Sequence, residues 1–299
     1  MERLRDDVTV LTDSRDINDV VRCARTDSVA YVLALAHLEE AQRTGVMPGE
    51  VWGYTHEGAV IAALWVGANC IPLVPQRLTD PRVRRDIIAA FAHRARRTGR
   101  RSSSLVGPAR DVLALWEALD GAWSAPREIR PSQPSMVWAQ SDQLHADPRV
   151  RLARLSDFDA LLPASVHMFV EEVGVSPLRY GSVHYSRRVR ELIAESRTYV
   201  MLARDVDSTL TGAEGNRVVF KADVGSMCAD VAQIQGVWID PGYRGRGLSA
   251  SAMVSVARDV TSRLGLTVSL YVNDYNHRAI RAYRRAGFTE VGTYATVMF

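Results

Sequence analysis

The residues best suited to chemistry run from Gln235 to Ser249 and read Gln-Gly-Val-Trp-Ile-Asp-Pro-Gly-Tyr-Arg-Gly-Arg-Gly-Leu-Ser. A β-rich run over 231–239 stops at Asp240 and Pro241, and the loop Arg244-Gly245-Arg246-Gly247 follows. Leu248, Ala252, Val256, Val260 and Leu264 then recur every fourth position, an apolar stripe down one helix face. A strand, a glycine loop and a helix start together make an anion site. The first helical amides have no intrahelical partner, and the dipole favours negative charge there. Gly245 and Gly247 let the backbone close on a phosphate with no Cβ in the way. Arg244 and Arg246 add charge-assisted donors. These residues point to a ligand that carries a pyrophosphate. The loop is neither common phosphate fingerprint, because no Lys follows Gly247 and because Leu248, Ser249 and Ala250 break the G-x-G-x-x-G pattern.

A second constellation follows. Residues 267–272 are apolar and β-branched, a strand pattern punctuated by Asn273-Asp274-Tyr275-Asn276. Next comes Asn276-His-Arg-Ala279-Ile-Arg-Ala-Tyr283-Arg-Arg-Ala-Gly287-Phe288. Asn276 suits a helix N-cap and Gly287 the position just past the helix end. The interval from Asn276 to Tyr283 is about two turns, so both project from one face.

The two motifs together resemble those of the GCN5-related N-acetyltransferases (GNAT). Residues 244–249 match Arg/Gln-x-x-Gly-x-Gly/Ala except that Ser249 takes the last place, and residues 276–288 match Asn-x-x-Ala-x-x-x-Tyr-x-x-x-Gly-Phe at every specified position. The resemblance covers roughly residues 150–299 and implies acetyl-CoA as the cofactor. It places the pantetheine amides on the strand backbone of Val237, Trp238 and Ile239. The pyrophosphate falls to Arg244, Gly245, Arg246, Gly247, Leu248 and Ser249, and the pantetheine arm to Asn276. The Tyr283 hydroxyl would protonate the departing thiolate. Gly236 fits this scheme, since a glycine inside a strand marks a bulge or a close backbone approach.

The implied reaction is acetyl transfer to a primary amine by direct attack, with Tyr283 as general acid, no metal and no covalent intermediate. The acceptor, a small molecule or a peptide amine, is left open. Three carboxylates are candidates for the acceptor side and the general base: Glu171 and Glu172 near a helix end, and Asp223 on a strand. A competing reading is a non-catalytic acetyl-CoA sensor or interaction module. Tyr283 argues against it, because binding alone needs no proton donor.

The elements that must position these residues fall into two halves. Prolines 126, 131, 134 and 148 interrupt a polar stretch from Trp123 to Val150, which reads as a linker holding at most one short strand at 136–139. The expected domains are 1–139 and 140–299, with the second self-sufficient for cofactor binding. The second half shows strands at 150–154, 198–204, 218–224, 231–239, 267–272 and 290–299. Helices follow Ser156 or Asp157 as caps, over 185–196, after Gly247 and after Asn276. The first half repeats this order, with strands at 8–11, 51–55, 59–67, 71–74 and 103–106 and near 129 or 136. Its helices lie between 17 and 43 and over 82–97 and 112–119. It lacks both motifs, since Pro75-Gln-Arg-Leu-Thr-Asp-Pro81 stands where the phosphate loop should be. The expected fold is therefore α/β (α+β): tandem GNAT-like domains, each a mixed, mainly antiparallel sheet flanked by helices, the N-terminal one degenerate. The plan resembles actinobacterial two-domain acetyltransferases with a divergent N-terminal half.

Composition narrows the remaining classes. A net charge of +3 gives no case for nucleic acid. The basic cluster over 93–101 carries no interleaved aromatics, and Val83, Ile87 and Phe91 leave its arginines on a solvated helix face. Cys23, Cys70 and Cys228 are few, scattered and without metal spacing, which points to a reducing, cytoplasmic setting. No apolar run approaches a membrane span. Lys221 is the sole lysine among 37 basic residues. It alternates with Asp223 along one strand face and reads as half of a surface ion pair.

Overall fold

Nearly every apolar run that reads as a strand takes its place in one sheet of twelve. The computed structural model describes residues 8–119, 121–140, 144–179 and 182–299. The N-terminal half runs β1 (Val8–Val10), α1 (Ser14–Ala24), α2 (Ser28–Thr44), β2 (Glu50–His56), β3 (Ala59–Val66), β4 (Asn69–Leu73), α3 (Pro81–Thr98), β5 (Ser104–Pro108), α4 (Ala109–Leu119) and β6 (Glu128–Trp138). The C-terminal half begins with β7 (Arg151–Leu152), α5 (Phe158–Val173), α6 (Ser182–Ala194), β8 (Thr198–Leu202), α7 (Ala203–Val206) and α8 (Gly212–Gly215). It continues through β9 (Val218–Met227), β10 (Val231–Ile239), α9 (Leu248–Leu264), β11 (Thr267–Tyr271), α10 (His277–Arg285) and β12 (Phe288–Met298). Among the described residues, no helix is long and apolar enough to cross a membrane.

The strand order is β1-β2-β3-β4-β5-β12-β6-β11-β10-β9-β8-β7. Only β4–β5 and β10–β11 are parallel, so the sheet is mixed and mainly antiparallel, as expected. The expectation of a separate sheet in each half fails, because the halves exchange their last strands. β12 pairs with β5 of the N-terminal half, while β6 lies between β12 and β11. Apolar side chains then fill both faces. α1 and α2, and separately α5 and α6, pack on one face; α3 with α4, and α9 with α10, pack on the other.

The stretch that reads as a linker contains β6, an eleven-residue strand inside the sheet. Its prolines are accommodated by the register. Pro131 lies in a bulge between the pairs Arg130–Thr296 and Gln133–Tyr294, and Pro134, opposite Thr293, still contributes its carbonyl, which accepts from the Val272 amide. The inward residues Arg130, Gln133 and Ser135 are polar, which hid the strand from an apolar-periodicity reading. Neither Ser156 nor Asp157 caps α5 through a side-chain bond: the Asp157 carboxylate instead takes the Arg151 guanidinium and the Arg154 amide. On α3, Ile87 and Phe91 are buried as expected, but several arginines of the basic cluster are structural. Arg94 donates to the Val8 carbonyl, Arg96 to that of Ala118, and Arg101 pairs with Glu50.

Candidate active site

The two parallel strands that frame the site separate as they run. β10 and β11 are in register only at Val231–Thr267, Ala232–Val268 and Gln233–Ser269. Beyond Gln233, β10 continues beside β9 alone, and β11 ends beside β6. Where the strands part, a cleft of about 900 Å³ opens. Val237, Trp238 and Ile239, the 244–249 loop except Arg246, Asn276, Tyr283 and Glu171 all line it. Both sequence motifs thus meet in one cavity.

On one side stands the start of α9. Gly245 (φ +79°) and Gly247 (φ +76°) both adopt the left-handed conformation, which a side chain disfavours. A Cβ built at either would meet nothing within 4 Å. Glycine is thus required by backbone conformation, and the space in front of the loop is open. Gly247 is the N-cap and offers no capping side chain, so the amides of Leu248, Ser249 and Ala250 are left for a ligand. The arginines differ from expectation. Arg244 donates to the Ile239 carbonyl at 2.9 Å and to Glu171 at 2.7 Å. Arg246 donates to the Gly242 carbonyl at 3.0 Å and covers the Tyr243 ring at 4.7 Å. Both guanidiniums brace the loop, which leaves the amides as its free donors.

The positive charge facing the cleft comes mainly from α10. Arg278, Arg281 and Arg285 line it, are exposed, and have no salt-bridge partner among the described residues. Their spacing of three and four puts them on one helix face, a signal present in the sequence and passed over. Asn276 caps α10 through its Oδ1, which accepts from the Ala279 amide at 3.1 Å. Gly287 (φ +91°) follows the helix end.

Tyr283 is 7 % exposed and packs against Phe288 at 6.0 Å between ring centroids. Among the described residues, no group bonds its hydroxyl. Burial, and secondarily the charge of Glu172, pushes its pKa well above the ordinary tyrosine value, so it holds its proton throughout the neutral range.

The three candidate carboxylates differ in circumstance. Glu171 is engaged by Arg244 and lies 3.5 Å from the Trp238 indole nitrogen. Asp223 accepts from Lys221 at 2.5 Å and from the Thr198 hydroxyl at 2.9 Å. Glu172 at the end of α5 has no salt-bridge partner among the described residues. Its side chain is reachable by solvent yet set deep among neighbouring groups. Desolvation raises its pKa, against the opposing pull of Arg130 and Lys221. The Lys221–Asp223 pair is not on the surface, since Lys221 is 1 % exposed. Among the described residues, no group of His, Cys, Asp and Glu is placed to hold a metal ion.

The N-terminal half has the opposite polarity at the equivalent place. β4 and β5 also part after two pairs, but the carbonyls of Val74, Pro75 and Leu78 turn toward the buried Arg84 guanidinium. Arg84 is in turn held by both oxygens of Asp111. A loop that presents carbonyls to an internal cation offers a phosphate nothing.

Comparison with known proteins agrees with this division. Residues 164–288 match the acetyltransferase (GNAT) family model, and residues 49–161 match a domain of unknown function, DUF4081. A GCN5-related N-acetyltransferase from Sphaerobacter thermophilus superposes with TM-score 0.58 at 16 % identity, covering 99 % of this chain and 96 % of its own. A tandem GNAT protein from the clavulanic acid biosynthesis pathway gives 0.56 at 12 % identity, with 98 % of each chain covered. A GNAT-family acetyltransferase from Colwellia psychrerythraea gives 0.57 at 10 % identity, over 98 % and 99 %. No curated protein matches the sequence. Residues 164–288 are thus similar to the GNAT acetyltransferase family and residues 49–161 to the DUF4081 domain, and the chain as a whole shares the fold of a tandem GNAT protein.

Proposed function

We propose that the protein is an acetyl-CoA-dependent N-acetyltransferase acting on a primary amine, with its site in the C-terminal half and a non-catalytic N-terminal half. One observation carries this reading: a single cleft unites an uncapped helix start, a parting pair of parallel strands and a tyrosine hydroxyl with no partner. The residues fit the cofactor. The free amides of 248–250 and the open ground before Gly245 and Gly247 suit a pyrophosphate, and the unpaired arginines of α10 supply charge toward it. The backbone of Val237, Trp238 and Ile239 would hold the pantetheine arm beside Asn276. Bound acetyl-CoA supplies an activated thioester carbonyl and a thiolate that must be protonated as it leaves.

The chain's own part in the reaction is proton management. Of the three carboxylates Glu171 alone lines the cleft. Glu172, its neighbour in sequence, is near enough for its charge to bear on Tyr283, and with its carboxyl raised by desolvation it is the candidate for taking the proton of the incoming amine. Glu171 and Asp223 are already occupied by cations. Tyr283 holds a proton at neutral pH and has nothing else to give it to. That last point favours an enzyme over a sensor, because a protonated hydroxyl that lines the cleft is poised to give its proton to a leaving group. The deciding experiment is a thiol-release assay with acetyl-CoA against a panel of small and peptide amines. Turnover with any acceptor identifies an enzyme and its substrate class; tight acetyl-CoA binding without turnover across the panel would favour the sensor.

A further inference from the structure

We propose that Lys221 is a positioning residue that fixes the cofactor-binding strand by holding the Gly236 carbonyl. The inference rests on the acetyl-CoA reading above. Along β10 the register with β9 shifts between Gln235–Asp223 and Trp238–Lys221, so Gly236 and Val237 together face one residue of β9. Gly236 has φ +58°, the left-handed geometry of a bulge built on glycine. The extra residue reverses the side-chain alternation just before residues 237–239, which line the cleft. A bulge gives up ladder hydrogen bonds, so something else must specify it.

The Lys221 ammonium does so. Its Nζ donates to the Gly236 carbonyl at 3.1 Å and to Asp223 Oδ2 at 2.5 Å, while Thr198 donates to Asp223 Oδ1 at 2.9 Å. Thr198 on β8, Asp223 and Lys221 on β9 and Gly236 on β10 thus form one chain of hydrogen bonds across three strands. The packing is close, since a Cβ on Gly236 would lie 2.9 Å from Asp223 Oδ2, 3.1 Å from Lys221 Nζ and 3.2 Å from Met168 Cε of α5. Residue type supports the role. The chain uses arginine at every other basic position. An ammonium is a compact point charge, smaller than a guanidinium fork, and suits a site so tight that a Cβ on Gly236 would lie 3.1 Å from Nζ. A buried ion pair contributes little net stability over an apolar pair of similar size, so its presence here needs a reason other than stability.

That last property supplies the test. Lys221→Met alone strands the Asp223 carboxylate and is expected to unfold the protein at lower temperature. Lys221→Met combined with Asp223→Leu removes both charges and should keep the melting temperature near wild type. The double variant should nevertheless bind acetyl-CoA about tenfold or more weakly by calorimetry. The amides of residues 235–240 should exchange at least about tenfold faster, while those of β8 keep their protection. Asp223→Asn, which preserves shape and the Thr198 bond, should weaken acetyl-CoA binding in the same direction by about threefold. Wild-type affinity together with wild-type exchange at 235–240 in either folded variant would overturn the proposal. Failure of the unaltered protein to bind acetyl-CoA would overturn the cofactor reading and this inference with it.

Discussion

Tyr283→Phe separates catalysis from architecture because it deletes one oxygen and nothing else. The ring stays packed on Phe288, and the lost hydroxyl has no partner among the described residues. No hydrogen bond is broken, so the stability change should stay within about 0.5 kcal/mol, roughly 1–2 °C in melting temperature for a protein of this size. The acetyl-CoA dissociation constant should be unchanged for the same reason. Turnover should fall by about 10² to 10⁴, the usual contribution of a positioned acid, or roughly 3–5 kcal/mol of barrier. Because burial raises the Tyr283 pKa above its ordinary value of 10.0, the wild-type enzyme should keep this donor as the pH rises to 10. Thiol release at saturating acetyl-CoA, isothermal calorimetry and a thermal melt on one preparation give all three quantities. Wild-type turnover in the variant would refute the assignment, and so would parallel losses of affinity and stability, which would mark Tyr283 as a packing residue.

Three further outcomes are expected. Gly247→Val places a branched residue at φ +76°, at a cost of about 1–2 kcal/mol, and puts its side chain in the open ground before the loop. Acetyl-CoA should then no longer raise the melting temperature, whereas an unchanged thermal shift would place the cofactor elsewhere. For Glu172, kcat/KM should rise with pH through a pKa above the ordinary 4.5, and Glu172→Gln should abolish that limb with a loss of about 10² or more. A carboxyl whose folded pKa is raised stabilises the protein below its unfolded pKa and loses that contribution as pH rises through the folded one. Glu172→Gln should therefore flatten the decline in melting temperature above about pH 4.5, and an unaltered profile would exclude Glu172. Finally, residues 140–299 expressed alone lack β6, the strand between β11 and β12, and should not bind acetyl-CoA. Mixing with residues 1–139 should restore binding, and full binding by the C-terminal fragment alone would show that β12 can take the place of β6.

Periodicity and punctuation were enough to place nearly every element. The stripe from Ala252 to Val260 is buried, Asn276 caps its helix, Gly287 follows that helix in left-handed geometry, and Gly236 marks the bulge. Local signals succeed there because each reports a constraint within a few residues of itself. The failures share the opposite cause. Most of β6 reads as linker, with a short strand at 136–139 at most, because its inward side chains Arg130, Gln133 and Ser135 are polar, and Gln133 finds its partners on other strands and loops, donating to Asn273 and accepting from Thr296. Lys221 was read as a surface charge because the carbonyl that captures it belongs to the next strand. Arg244 reads as a phosphate ligand and does line the cleft, but its bond to Glu171, 73 residues away, is invisible in the sequence. In each case the deciding partner is remote in sequence, and alternation along one strand carries no information about it.

The place of β12 also bears on how the protein is made. Translation delivers β1 through β5 early, yet the strand that covers β5 is the last of the twelve to be synthesised. Until then β5, whose Leu105 and Val106 lie in the finished core, keeps an unpaired edge, and β6 waits for the same neighbour. A nascent chain stalled between Tyr283 and Phe288 already holds the 244–249 loop, Asn276 and Tyr283, but no closed sheet beneath them. Exposed edges of this kind are what holdase chaperones and proteases engage. Each half of the molecule is therefore completed by a strand of the other, and both close in the same late event.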